Sequence, residues 1–406
     1  MKIEKIETFI LRAPRKTAYW ATTGHLREET QDEFFKDYSV AYPLRMRAQP
    51  HYTSDLTTVL VKISTDDGLV GWGESKGVVA PEAPKAIIDN IVKQHLIGLN
   101  PLDIAPIKEK MLGLMRIRGH IQGFYQEAIS GIEIALWDIK GKYANLPIAS
   151  LLGGMFRDKI RVYASALPGL STGWNEGNIQ RLQESAKKVV AAGFKAVKIA
   201  IGAGIVPDLK SIEIVREVVG ESFTIMVDAG GIYDFQTALK LAPELEKQGV
   251  FWFEAPLPLD DFSGYIELSK KTGMMITNDM IWTTGLVKDA LQRGGNIVYI
   301  PEVLKAGGIL ECKQIADLSD RFGVPFAPHV SQGSYIQYAA TAHVCASAPN
   351  FLISEFWWQD NPLDNRILKN PLQIKDGYME VPTGPGLGVE VDEEAIRSFI
   401  DFDPKL

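Results

Sequence analysis

Of 406 residues only two are cysteine, Cys312 and Cys345. That is too few for a disulfide framework or a thiolate zinc site, and it points to a reducing compartment. No stretch approaches 18 consecutive apolar residues, so neither a membrane span nor a membrane partner is expected. Basic charge is also short: 43 Lys and Arg against 50 Asp and Glu leave a net −7. A nucleic-acid partner is not expected, because its footprint would be basic. The opening MKIEKIETFI alternates charge with apolarity where a secretion signal needs an unbroken apolar segment. A cytoplasmic protein is expected. What remains is ordinary globular composition, 46% hydrophobic and 23% charged. At roughly 150 residues per domain it predicts two or three domains with a large buried core.

The organisation changes along the chain. Residues 2–12 and 57–72 carry the alternation and β-branched content of strands, with Asp66-Asp67-Gly68 as a hairpin turn. Residues 84–98, 105–117 and 124–145 carry helical spacing, and Ile132, Ile134, Leu136, Trp137 and Ile139 make the last broadly apolar. Between first strand and hairpin lies a long irregular stretch, roughly 14–56, rich in aromatics and charge; such loops are commonly functional lids. From about residue 158, short apolar runs alternate strictly with amphipathic helices: IRVYAS, AVKIAI, TIMVDA, VFWFEAP, MMITND, IVYIPE, VPFAPH and FLISEF. Eight buried strands with helical crossovers predict an α/β fold, a (β/α)8 barrel. No Gly-rich dinucleotide fingerprint follows the first run, which disfavours a doubly wound open sheet. The predicted units are an α+β domain over 1–150, the barrel over 151–365, and a Gly/Pro-rich C-terminal return over 366–406 that completes the first domain.

Barrel active sites lie at the C-terminal strand ends, and seven of the eight runs bring an ionisable residue there: Lys198, Asp228, Glu254, Asp279, Glu302, His329 and Glu355. A single carboxylate after a strand is often only a helix cap. Seven converging charges would repel or stay unpaired without a ligand. Asp228, Glu254 and Asp279 on three successive strands form an oxygen-only set that suits Mg²⁺ rather than zinc. Glu302 beside His329 can set the ring's tautomer and basicity, as a general acid/base near neutral pH requires. Lys198 and Glu355 flank the same cavity, the first to neutralise a carboxylate, the second as a protonated donor to an oxyanion.

These motifs, read together, resemble the mandelate racemase group of the enolase superfamily over nearly the whole chain. The match runs from MKIEKIETFILR and TTVLVKISTDDGLVGWGES through SGIEIALWDIKGKYANLPIASLLGG to FKAVKIAIG, IMVDAGG, FWFEAPL, TND, PEVLKAGGI, APHVSQG and ISEFWW. The resemblance implies Mg²⁺ at Asp228, Glu254 and Asp279, a His329–Glu302 dyad, Glu355 as electrophilic donor and Lys198 as the first lysine of a Lys-x-Lys pair. It also implies removal of a proton α to a carboxylate. The capping domain would read the distal substrate, with candidates Trp20, His25, Arg45, Arg47, His51 and Tyr52 in the long loop and Arg118, His120 and Gln122 in 116–125.

The departures sharpen the expectation. Ala200 stands where the second lysine would, and Glu302 replaces the commoner aspartate. A methyl group moves no proton, so two-base racemisation gives way to one-sided chemistry. The expected activity is a Mg²⁺-dependent hydro-lyase that dehydrates a sugar acid to a 2-keto-3-deoxy acid. The alternatives are an isomerase of the same family, as epimerase or lactone cycloisomerase, and a non-catalytic metabolite-binding member. The expected partner is a small hydroxy-carboxylate, and the resemblance implies a homo-oligomer.

Overall fold

A computed structural model describes residues 1–14, 55–170, 175–278, 283–359 and 361–400 of the chain. β1 (Ile3–Ala13), β2 (Leu56–Thr65) and β3 (Val70–Ser75) form an antiparallel sheet in that order. Asp66-Asp67-Gly68 makes the predicted turn, closed by Thr65 N–H donating to the Leu69 carbonyl at 3.0 Å. Against the sheet pack α1 (Glu82–Ile87), which continues as a π turn at Ile88–Val92 and a 3-10 turn at Lys93–His95, and α3 (Phe124–Ala144), with α2 (Ile104–Arg116) lying on α3. A short α4 (Ile148–Leu151) leads to the barrel.

The α3–β3 contact explains the sequence of β3. Alternation puts Gly71 and Gly73 on the face turned to α3, with Trp72 and Glu74 on the other. A Cβ on Gly71 would overlap the Ala135 carbonyl oxygen, and one on Gly73 the Gly131 carbonyl oxygen. Helix backbone and strand backbone therefore touch directly, an approach only glycine permits.

The barrel follows as β4 (Lys159–Pro168), α5 (Glu176–Ala191), β5 (Ala196–Ala200), α6 (Ile205–Val219), β6 (Thr224–Asp228), α7 (Phe235–Lys247), β7 (Val250–Glu254), α8 (Phe262–Lys271), β8 (Met275–Asn278), α9 (Thr284–Arg293), β9 (Ile297–Tyr299), α10 (Ile309–Asp320), α11 (Tyr335–Ser347) and β10 (Ser354–Trp357). Neighbours from β4 to β9 pair in parallel, and β10 pairs with β4. The seventh predicted run, VPFAPH, is reduced to a bridging residue: Phe326 pairs with Tyr299 on one side and Phe351 on the other. Pro325 and Pro328 lack the N–H a ladder needs, so only isolated bonds close the barrel there. Asn175, Asp234, Asp261, Thr283 and Ser334 cap the helices that follow them through their side chains.

The C-terminal stretch divides its contacts. β11 (Ile374–Lys375) and β12 (Tyr378–Glu380) form a hairpin whose second strand pairs antiparallel with the start of β4. α12 (Glu393–Ile400) lies on β1, with Glu393 paired to Lys62 at 2.6 Å. Among the described residues no helix is long and apolar enough to cross a membrane.

Gly73→Ala should destabilise the protein by roughly 1–3 kcal/mol through overpacking. The measurement is the urea unfolding midpoint at constant slope; an unchanged midpoint would refute direct strand–helix contact.

Candidate active site

The two-residue period of the strands builds the barrel interior in layers. One layer is a buried plug of Tyr163, Ala196, Met226, Trp252, Val298, Ala327 and Ile353, with Tyr163 and Trp252 meeting edge to face at 5.4 Å. Two residues further along the chain come Ser165, Lys198, Asp228, Glu254, Ile300, His329 and Glu355. The same alternation that makes the apolar plug thus sends a ring of polar groups to the C-terminal mouth. The helix caps are separate residues, so the mouth carboxylates are not accounted for by capping; Asp228 does accept the Gly230 N–H at 2.9 Å.

Lys198 is 2% exposed and sits among three carboxylates: Glu254 at 2.7 Å, Glu355 at 3.0 Å and Asp228 at 3.4 Å. Burial opposes its charge, but Glu254 and Glu355 outweigh burial and hold the ammonium well above the usual lysine range. Burial pushes the Glu254 carboxyl up to about 8; Lys198 pulls it down, while Asp228 and Glu355 push further up. Three carboxylates around one ammonium leave an excess of negative charge.

His329 bridges two of the acids. Its Nδ1 lies 2.8 Å from Glu302 Oε2 and its Nε2 3.2 Å from Glu355 Oε2. Burial disfavours the imidazolium, yet Glu355 and Glu302 together raise the ring above its ordinary value. For Glu355 burial pushes up, and His329 and Lys198 pull harder, to about 2; Ser165 and the Val330 N–H (3.0 Å) also donate to it. Glu355 thus lies between His329 and Lys198, surroundings that favour its ionised form. The sequence indicates its position but not the company that sets its charge.

Glu302, fully buried, has a partner on each oxygen that the sequence reading missed. Lys76, just beyond β3, donates to Oε1 at 2.6 Å and to the Gln332 carbonyl at 2.7 Å. Ser331 reaches both oxygens at 3.1 and 2.9 Å, and Lys305 stands 3.6 Å away. The loops carrying the dyad are also held by the N-terminal domain. Gln126, Ser130 and Glu133, spaced four and three along α3, face the loop after Glu302. They bond the Ala306 carbonyl at 2.7 Å, the Gly307 N–H at 3.0 Å, and the Ile309 and Leu310 N–H groups at 2.7 and 2.9 Å. Glu74 accepts from Ser334 N–H (2.6 Å), Ser334 hydroxyl (2.7 Å) and Gln337 N–H (3.1 Å), fixing the loop after His329. The signal for these residues was polarity at helical or strand spacing on faces otherwise apolar.

Not every sequence candidate joins the cluster. Arg118, His120 and Gln122 are exposed on the turn between α2 and α3, and among the described residues their side chains form no hydrogen bond or ion pair with it. Asp279 and the loop candidates Trp20, His25, Arg45, Arg47, His51 and Tyr52 lie outside the described residues. Among the described residues no group of three potential metal ligands is assembled; Asp228 and Glu254 are two of the three carboxylates predicted. They fit a divalent cation on one observation: Glu254 Oε2 is buried with no hydrogen-bond partner among the described residues, beside Asp228.

The Glu355 environment predicts a pH dependence. Its carboxyl is depressed from an ordinary 4.5 to about 2, so its stabilisation is complete above 4.5 and is lost as pH falls through about 2. Urea titrations of the metal-free protein across that window should show Glu355→Gln losing less stability than the parent, by about 3 kcal/mol. Parallel curves would refute the placement of Glu355 between two cations.

Comparison with known proteins agrees with this geometry. Residues 181–395 match the family model described as enolase C-terminal domain-like. Residues 35–153 match the mandelate racemase / muconate lactonizing enzyme N-terminal domain. The chain is 32% identical over 396 residues to D-galactarolactone cycloisomerase of Agrobacterium fabrum, covering 95% of this chain and 99% of that protein. It is 32% identical over 343 residues to arabinonate dehydratase of Saccharolobus solfataricus, covering 84% and 90%. The crystal structure of 3,6-anhydro-D-galactonate cycloisomerase from Zobellia galactanivorans superposes with a TM-score of 0.82 at 28% identity, covering 99% of this chain and 100% of that one. The capped barrel, the charged mouth and both family models place this chain in the enolase superfamily, as an enzyme of its mandelate racemase and muconate lactonizing enzyme group acting on a carboxylate substrate.

Proposed function

We propose that the protein removes the proton α to the carboxylate of a sugar acid and expels the β-hydroxyl as water, giving a 2-keto-3-deoxy acid. The observation that carries this reading is one-sidedness. His329 stands on one side of the mouth, with Nε2 3.2 Å from Glu355 Oε2. On β5, Ala200 stands in register with Asp228 of β6, and its methyl group offers no second base. Lys198, engaged with three carboxylates, is placed to offset charge rather than to take a proton.

Asp228 and Glu254, together with Asp279, would hold Mg²⁺. A bound divalent ion supplies Lewis-acid stabilisation to a substrate carboxylate. The chain's own groups do the rest. Nε2 of His329 takes the α-proton, and the C–H electron pair passes into the enolate system. Lys198 stabilises the developing negative charge electrostatically. The C–O bond to the β-hydroxyl then breaks, and the proton on His329 leaves with that oxygen as water. The resulting enol tautomerises to the ketone. Glu302, on Nδ1, keeps Nε2 as the nitrogen facing substrate throughout.

A second reading is a lactone or anhydro-sugar cycloisomerase, supported by relatives of that name spanning nearly the whole chain. The α-proton step is the same; only the leaving oxygen differs, being tethered in a ring instead of departing as water. The choice is decided by product mass. Incubation with a library of sugar acids and their lactones should give a 2-keto acid lighter than its substrate by one water. A product of unchanged mass, formed from cyclic substrates alone, would favour the ring-opening reading.

Two outcomes test the residue roles. Glu254→Gln should weaken Mg²⁺ binding in calorimetry by more than the roughly 10–100-fold that loss of an outer contact costs; unchanged affinity would remove Glu254 from the metal set. His329→Asn should keep substrate binding and lose roughly 10²–10⁴-fold in kcat. In D₂O the parent should return unreacted substrate with no inversion at C2. Recovery of C2-inverted, deuterated substrate would require a second base and overturn the one-sided mechanism.

A further inference from the structure

We infer that Lys76, supplied by the N-terminal domain, is a positioning residue that keeps His329 able to act as a base by sharing Glu302 with it. The two oxygens of Glu302 are divided between them: Oε1 to Lys76 Nζ at 2.6 Å and Oε2 to His329 Nδ1 at 2.8 Å. Lys76 is 2% exposed and pinned by the Gln332 carbonyl at 2.7 Å, so its charge is fixed in place rather than sampled from solvent.

The physical need is plain from the charges facing the ring. Glu302 sits on one imidazole nitrogen and Glu355 on the other, both buried. Two uncompensated carboxylates would lock the ring as imidazolium, and an imidazolium removes no proton. Lys198 compensates Glu355 at 3.0 Å, and Lys76 compensates Glu302 at 2.6 Å. Among the described residues the other groups around the ring are Ser331 on Glu302, Ser165 on Glu355, Lys305 at 3.6 Å from Glu302, Glu254 beyond Lys198, and half-buried Glu127 in the first turn of α3. Of the described ammonium groups on Glu302, Lys76 is the buried one with a direct bond to an oxygen. Glu302 is held well below the usual carboxylate range by Lys76 and Lys305 against the push of burial, as a shared anion should be.

A purely structural tie between the domains would also bury Lys76, so the test reads proton affinity. With saturating Mg²⁺, histidine-labelled protein is titrated by NMR, His329 being assigned by its loss in His329→Asn, and kcat/KM is profiled against pH. Lys76→Met should move both the His329 midpoint and the acidic limb of kcat/KM to higher pH by roughly one unit. Lys76→Arg, which keeps the charge, should stay near the parent. Lys76→Gln retains a donor to Glu302 and Gln332 without the charge and serves if the methionine variant does not fold.

Unmoved midpoints in the neutral variants, or a shift to lower pH, would overturn the inference. So would an unmutated protein whose His329 stays doubly protonated across the pH range of turnover. The inference rests on His329 as the base, and the two failures are distinguishable. Full turnover by His329→Asn defeats the proposed function whatever the titration shows. An unmoved titration defeats the role of Lys76 whatever the reaction proves to be.

Discussion

Across the barrel mouth runs a chain of ionisable groups in which acids alternate with bases: Lys76, Glu302, His329, Glu355, Lys198, Glu254, with Asp228 beside the last pair. Every link is shorter than 3.5 Å and nearly every member is buried. Buried charge is costly unless it is paired and hydrogen-bonded, so each group holds its neighbours' ionisation in place and none can be understood alone. The chain is balanced at the Lys76 end and carries excess negative charge at the Glu254–Asp228 end. That asymmetry is the electrostatic basis for a divalent cation on one side of the mouth and a proton-transfer group on the other.

The arrangement depends on both halves of the molecule. Barrel strands supply the ring of side chains, but the loops bearing Glu302 and His329 are secured by Glu133 and Glu74. Each of these carboxylates accepts the N–H groups that open a barrel helix, α10 or α11, where the backbone is richest in unpaired donors. Glu74 and Lys76 are two residues apart and both turn to the barrel, one toward a helix end and one toward the dyad. The glycines between α3 and β3 let the two come close enough for one face to be shared. A polar interface of this kind is a registry device: apolar packing alone would tolerate sliding, whereas each carboxylate has one set of partners.

Much of this was legible in the residues themselves. The eight runs, the parity of polar and apolar positions, the hairpin turn and the separation of mouth carboxylates from helix caps all follow from period-two alternation and turn chemistry. Asp228 and Glu254 end their strands as the runs predict, whereas Lys198 and Glu355 lie within β5 and β10, and Glu302 and His329 lie just beyond Tyr299 and Phe326. The seventh stave shrinks to Phe326 because of two prolines that were visible in the sequence, though an apolar run alone reads as a strand. Arg118, His120 and Gln122 read equally well as ligand-binding or solvated groups, since local sequence carries no information about what lies opposite a turn.

The sequence by itself determined which side chains share a face, because strand and helix periods are local properties of the backbone. It also determined that no second base follows Lys198 at Ala200. Only the tertiary structure decided who pairs with whom: Lys76 with Glu302 across 226 residues of chain, Glu133 with the start of α10, Glu355 between Lys198 and His329. Those choices set protonation states, and protonation depends on distance and burial, which have no counterpart in linear spacing.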